Sequence, residues 1–299
     1  MKSTGDGSLK SMPEPQTHTL DAPGVTLTYD VRGDLAAGTP LLLFGSPMDA
    51  GGFATLAGHF TDRPVVTYDP RGTARSVRTD EARESTPDDH ADDIHRIIAA
   101  LGAGPVDAFA TSGGAINALA LVAAHPDDMR TLVAHEPPIA EVLPDAERVV
   151  AACRDMYDTY QRSGHGPAMA KFMQFVMWDG PLPPDYLDRP APDPAAFGMS
   201  AEDDGSRDDP LLSDRSAAVP SYRPDIDALL AAPTRIVVAV GEESIGTITG
   251  RTSAALAELL GQEATVFPSH HGGFLGPESG YPGRPEAFAQ KLRSVLGDE

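Results

Sequence analysis

The chain has 299 residues, 41% of them hydrophobic, and carries 23 Lys and Arg against 44 Asp and Glu, a formal net charge of −21. That length is enough for a full core in one large domain or two small ones, and the balance of apolar and charged residues excludes collagen, coiled coil and wholesale disorder. The negative field repels phosphate backbones and anionic lipid, since affinity for both rests on Lys and Arg, so neither nucleic acid nor a membrane is expected as a partner.

Residues 1–16 are polar, rich in Gly, Ser and Pro, and read as a flexible N-terminal tail. They contain no apolar stretch of the signal-peptide kind, and no segment approaches the roughly 20 apolar residues of a membrane span. The expected location is therefore cytoplasmic. From His18 to Val31 the chain alternates on either side of Asp21-Ala22-Pro23-Gly24, which predicts a hairpin. Short apolar runs then follow at Leu41–Phe44, Val65–Tyr68, Val106–Ala110 and Leu132–Ala134, separated by helical patterns. One such helix opens at Thr86-Pro87-Asp88-Asp89, with a capping threonine, proline in the first turn and acids against the dipole. It carries Ile94, Ile97, Ile98 and Leu101 on one face. Strands apolar throughout and separated by helices predict an α/β fold with a mostly parallel, doubly wound sheet.

The alternation pauses near Pro137 and resumes at Arg235–Val240, followed by a helix at Ser253–Leu260, a strand at Ala264–Phe267 and a final helix at Pro285–Leu296. The intervening segment first shows helical spacing with a soft apolar face of Met169, Phe172, Met173, Val176, Met177 and Trp178. Its second half, from Pro181 to Arg215, holds seven prolines and nine acids and predicts irregular, mobile chain. The expected organisation is a core of residues 17–136 and 233–299, interrupted by a helical cap or lid at 137–232. The single cysteine, Cys153, leaves no intrachain disulfide and no cysteine metal cluster; its place in the run Val149–Cys153 reads as a small buried hydrophobe.

The most informative segment is Val106-Asp107-Ala108-Phe109-Ala110-Thr111-Ser112-Gly113-Gly114-Ala115, which runs from a strand into the helical pattern Ile116–Ala124. A small-x-Ser-x-small sequence between strand and helix is the arrangement of a nucleophile elbow. Small neighbours permit a tight turn that lifts the Ser112 hydroxyl clear of the sheet, and the next amide, on Gly113, faces the place where an oxyanion develops. Two further segments share the pattern. Tyr68-Asp69-Pro70-Arg71-Gly72-Thr73-Ala74-Arg75-Ser76 is similar to the Asp-x-Arg-Gly-x-Gly-x-Ser stretch after the fourth strand of the α/β-hydrolase superfamily, with Ala74 at the second glycine. Pro268-Ser269-His270-His271-Gly272-Gly273-Phe274 resembles its late histidine loop. Over roughly residues 17–299 the chain thus resembles an α/β-hydrolase, a serine hydrolase with an inserted helical lid.

That resemblance implies Ser112 as nucleophile and His271 as base, with His270 as a neighbour. Serine is a poor nucleophile until an imidazole accepts its proton. The resemblance implies an acid as well, and here the chain departs from the family. The usual Asp position after the seventh strand is Ser244, within Gly241-Glu242-Glu243-Ser244, whereas Ala134-His135-Glu136-Pro137 offers a carboxylate after the sixth. Glu136, Glu243 and Glu242 are therefore the candidates. Phe44-Gly45-Ser46-Pro47-Met48-Asp49 resembles the family's His-Gly-x-Pro loop with Phe44 in place of His, and makes the Ser46 amide the second oxyanion donor beside that of Gly113. Met48, Phe172, Met173, Met177 and Trp178 are candidates for an adaptable apolar pocket; core packing within the lid is the other reading of the last four. Asp69, Arg71 and Asp107 read as structural.

Together these features lead to the expectation of a hydrolase that cleaves a neutral, moderately hydrophobic ester, lactone or thioester through an acyl-enzyme. It would need no metal or organic cofactor and have a small-molecule substrate as partner, with homo-oligomerisation left open. The same residues would also serve a cofactor-free perhydrolase, a carbon–carbon bond hydrolase, or a biosynthetic acyltransferase or cyclase. A non-catalytic ligand-binding relative is the rival of a different class, argued by Phe44 and Ser244.

Overall fold

The computed structural model describes residues 14–82 and 84–297. Most of the expected tail, residues 1–13, lies outside the described residues.

Among the described residues nine strands form one sheet: β1 (Gln16–Ala22), β2 (Val25–Arg32), β3 (Leu41–Ser46), β4 (Val65–Asp69), β5 (Val77–Arg78), β6 (Val106–Ser112), β7 (Met129–His135), β8 (Arg235–Gly241) and β9 (Thr265–Phe267). Their order is β1-β2-β4-β3-β6-β7-β8-β9, with the short β5 paired to β2. The β1–β2 hairpin pairs antiparallel, and β2 meets β4 antiparallel. From β4 to β9 every pairing is parallel.

Eight α-helices accompany the sheet among the described residues: α1 (Ala54–Gly58), α2 (Pro87–Leu101), α3 (Gly113–Ala124), α4 (Ala146–Ser163), α5 (His165–Val176), α6 (Ile226–Ala231), α7 (Ile248–Leu259) and α8 (Pro285–Leu296). Alternate strand residues point to opposite faces, which explains why the central strands carry apolar residues on both faces. Leu42, Val66, Ala108, Leu132 and Val238 pack on one side against α2, α3 and α7. Leu41, Leu43, Phe109, Val133 and Ala239 pack on the other against α1 and α8. Thr86 caps α2 as its sequence predicts, accepting from the Asp89 amide while Asp89 accepts from the Thr86 amide. Helix α7 begins five residues before the predicted start. Its first turn contains Gly250, a poor helix former, but a Cβ there would lie 1.9 Å from the Ser244 carbonyl oxygen, so close packing on the preceding loop selects glycine.

Between β7 and β8 the chain builds a layer of its own. Val149, Ala152 and Met156 of α4, Phe175 of α5 and Leu182 share a cluster with Ile248 of α7. Arg251 of α7 pairs with Asp145 at the start of α4 and donates to the Gly180 carbonyl. The Pro181–Arg215 stretch has only short 3-10 turns, in keeping with its composition, but it is fastened rather than loose. Tyr157 donates to Asp214, Arg215 donates to the Gly72 carbonyl, the Tyr160 hydroxyl accepts from the Asp209 amide, and Leu212 is buried. Leu229 of α6 lies in the main core beside α3, so the chain rejoins the sheet layer at α6, ahead of the boundary at 232 read from the sequence.

Because β3, β6, β7, β8 and β9 are parallel neighbours, their carboxyl ends share one edge of the sheet, where open α/β sheets form their crevices. Ser46, Ser112, Glu136, Glu242 and the 268–274 loop all lie along that edge.

Candidate active site

Ser112 closes β6 and begins α3 with φ 56° and ψ −130°, a conformation that L-residues rarely adopt and that costs about 1–3 kcal/mol. The two glycines after it are dictated by contact. A Cβ on Gly113 would lie 2.7 Å from the Ser46 carbonyl oxygen, and one on Gly114 would lie 2.6 Å from the Gly45 Cα. The start of α3 therefore rests directly on the end of β3, where Ser46 pairs in register with Ser112. The Gly113 amide is in the first turn of α3, where backbone N–H groups lack intrahelical partners and the helix dipole is positive.

Glu136 follows β7 and also has a positive φ, 49°. Its side chain is fully buried and accepts from three donors. Oε1 receives the Gly241 amide at 2.9 Å, and Oε2 receives the Thr249 hydroxyl at 2.6 Å and His271 Nδ1 at 2.5 Å. Burial by itself would push this carboxyl up, but the hydrogen bond and charge of His271, with His135 and Thr249, outweigh burial and hold Glu136 well below the ordinary carboxylate range. An ionised carboxylate can only accept, so His271 carries its proton on Nδ1 and leaves Nε2 as an acceptor. The His271 side chain is 44% exposed.

Of the three candidate acids the structure brings only Glu136 to His271. Glu243 is exposed. Glu242 is exposed as well, pairs with Arg284 and accepts from the Ser269 amide. Ser244, at the family's usual acid position, is buried. His270 lies against Tyr281 with ring centroids 4.2 Å apart and planes tilted by 31°, accepts from the Gly272 amide at Nδ1 and donates to the Pro282 carbonyl from Nε2, which occupies both ring nitrogens in shaping the loop.

The loop after β3 is held from β4: Asp69 accepts from the Ala50 amide at 2.9 Å and from Arg75 at 2.7 Å. The structural roles of Arg71, paired with buried Asp93, and of Asp107, buried beneath Arg63 and Arg130, are equally direct. Met48 packs over the glycines of its own loop, 3.2 Å from where a Gly45 Cβ would be, and against the α1–α8 face of the core. The remaining pocket candidates divide. Phe172 joins two clusters inside the insertion, and Trp178 lies edge-on to Tyr186 with Arg189 over its ring. Met173 is half-buried and Met177 is 66% exposed. Packing within the insertion thus accounts for Phe172 and Trp178.

The family model described as the α/β hydrolase fold matches residues 41–182, from β3 into the insertion. Uncharacterized hydrolase YraK of Bacillus subtilis is 28% identical over 286 residues, 94% of this chain and 96% of that one. A thermophilic esterase from Thermogutta terrifontis superposes with a TM-score of 0.65 at 20% identity, covering 95% of this chain and 98% of the other. An enol-lactonase from Burkholderia xenovorans does so at 0.64 and 17%, covering 94% and 100%. The chain has the α/β-hydrolase fold. It is a hydrolase of that fold.

Two residues of this α/β-hydrolase's edge escape a reading of the sequence alone. Thr249, in the first turn of α7, carries no motif; only the fold brings its hydroxyl to Glu136. His135 hides within the apolar end of β7. It is fully buried, shares a hydrogen bond with Thr111 through Nδ1, and has its Nε2 3.7 Å from Glu136 Oε1. Burial pushes it down to about 4, so it is neutral at pH 7. Cys153 is no competing nucleophile, since burial pushes its thiol up to about 12.

Proposed function

We propose that this α/β-hydrolase is a serine hydrolase that cleaves neutral, moderately hydrophobic esters or lactones through an acyl-enzyme on Ser112. The observation that carries the reading is the Glu136–His271 hydrogen bond, at the carboxyl edge next to a serine in elbow conformation. With Nδ1 protonated against Glu136, Nε2 of His271 is the group free to take the Ser112 proton as Oγ attacks the acyl carbon. The Gly113 and Ser46 amides receive the negative charge that develops on the carbonyl oxygen. The imidazolium then gives its proton to the leaving alcohol oxygen, and the acyl–oxygen bond breaks. Water, deprotonated by the same Nε2, attacks the acyl-serine and restores the enzyme.

The names of the esterase and the enol-lactonase among the fold neighbours fit this substrate class. A net charge of −21 disfavours polyanionic substrates. Steady-state assays on p-nitrophenyl acetate and butyrate and on a panel of simple lactones test the proposal. The expected result is saturable turnover that drops by more than 10³-fold in Ser112→Ala. Folded wild-type protein with no activity on any member of the panel, yet binding some of them, would favour the non-catalytic alternative.

A further inference from the structure

At the end of the sheet opposite the catalytic edge, three metal-capable side chains meet. His95 is on α2, His125 follows the last turn of α3, and Asp128 immediately precedes β7. The two imidazoles stack with centroids 3.7 Å apart and planes 9° from parallel. His95 Nδ1 lies 2.7 Å from Asp128 Oδ2, and one ligand atom from each of the three residues lies within 4.8 Å of the other two. The Asp128 amide donates to the His125 carbonyl at 3.2 Å. His125 and Asp128 thus share one tight turn that sets their spacing before any ion arrives. The side chains of His95 and Asp128 are 34% and 18% exposed, which leaves an entry path while removing part of the bulk water.

Two imidazole nitrogens and one carboxylate oxygen form a donor set suited to zinc, nickel or copper rather than to magnesium or calcium, which prefer oxygen. Ligand atoms around a tetrahedral zinc, each roughly 2.0–2.2 Å from the ion, lie about 3.3–3.6 Å from one another. That spacing falls between the 2.7 Å His95–Asp128 separation and the 4.8 Å span of the cluster. We propose that His95, His125 and Asp128 bind one divalent transition-metal ion, with water in the fourth position. The ion would clip α2 to the α3–β7 turn, remote from the reacting serine. The strongly negative chain raises the local cation concentration.

The test is calorimetric titration of chelator-stripped full-length protein with ZnCl2, in parallel with MgCl2 and with thermal melts. The expected result is one equivalent of Zn2+ bound, a Tm raised by about 5 °C at a hundredfold excess over Kd, and no comparable response to Mg2+. The double variant His95→Ala/His125→Ala loses at least 100-fold in affinity. Asp128→Asn, which keeps the shape of the turn, loses about 10-fold and decides the matter if the double variant does not fold. Absence of stoichiometric uptake by wild type overturns the proposal. So does uptake unchanged in the variants, or an equal response to Mg2+, either of which places the ion on the acidic surface.

Discussion

Four non-glycine residues among those described have a positive φ, and three of them, Ser112, Glu136 and Ser269, border the candidate site. Strain of that kind persists only where surrounding contacts enforce it, and each of these positions turns the chain sharply at the end of a strand. For Glu136 the result is a buried carboxylate that accepts from three donors, and the roles of its partners can be separated. Glu136→Gln keeps the shape but removes the charge that stabilises the imidazolium and fixes the tautomer. It is expected to lower kcat by about 10³–10⁴-fold, by analogy with buried triad acids elsewhere, while Glu243→Gln stays within about twofold of wild type. Steady-state kinetics of the pair check this. Thr249→Val removes one donor and leaves the His271 bond intact. Its expected effect is a fall in kcat of about 10–100-fold with KM unchanged, the size of one lost hydrogen bond to a charged group.

At the scale of elements, the site depends on how closely α3 can approach β3. Gly114→Ala places a methyl against the Gly45 backbone, which has no side chain that could yield. Overpacking of this kind costs about 1–3 kcal/mol, a drop in Tm of roughly 5 °C for a chain of this size, and it displaces the Ser46 amide as well. The expected result in thermal melts and kinetics is therefore a loss of both stability and kcat. The strands and their order of appearance were legible because a parallel sheet covered on both faces writes itself as short apolar runs. The Ser112 elbow was legible for a related reason: backbone-to-backbone contact leaves glycine as the only residue that fits. The choice of acid was not. Glu136 and Glu243 each follow a strand in the same local pattern, and only the neighbouring of β7, β8 and β9 decides which carboxylate the 268–274 loop meets. The lid stripe was ambiguous for a similar reason, since Met and aromatic residues at helical spacing serve a pocket and a small core equally well. Here Val149, Ala152 and Met156 of α4, with Phe175, Leu182 and Ile248, form the small core against which Phe172, Val176 and Trp178 of the stripe pack.

For the whole molecule, two buried histidines set how stability responds to acid. Burial lowers His135 to about 4 and His90 to about 3, each from an ordinary value of 6.5. Among the described residues, His90 Nδ1 and His135 Nε2 have no hydrogen-bond partner. With folded values below unfolded ones, the unfolded chain binds more protons between about pH 4 and 6.5. Stability therefore rises with pH across that window and is complete above it. Each histidine contributes about 1.4 kcal/mol per pH unit there. Urea denaturation is expected to give an unfolding free energy about 3–4 kcal/mol lower at pH 5 than at pH 7. His90→Gln should remove about half of that dependence, whatever it does to the stability at pH 7. A flat profile from pH 5 to 7 would contradict the buried, neutral assignment. Below that window the loss deepens, because Glu136, held low in the fold, is ionised there and must be protonated for the chain to unfold into acid.

A serine activated by an imidazole beside an oxyanion hole reacts with fluorophosphonates, and the proposed role of Ser112 rests on that activation by His271. Intact-mass measurement after treatment with a fluorophosphonate probe tests it without any knowledge of the substrate. The expected result is one probe mass added to wild type, mapped to the peptide containing Ser112, with none on Ser112→Ala and at most slow labelling of His271→Ala. Folded wild type that remains unlabelled, or a label that persists in Ser112→Ala, would contradict it.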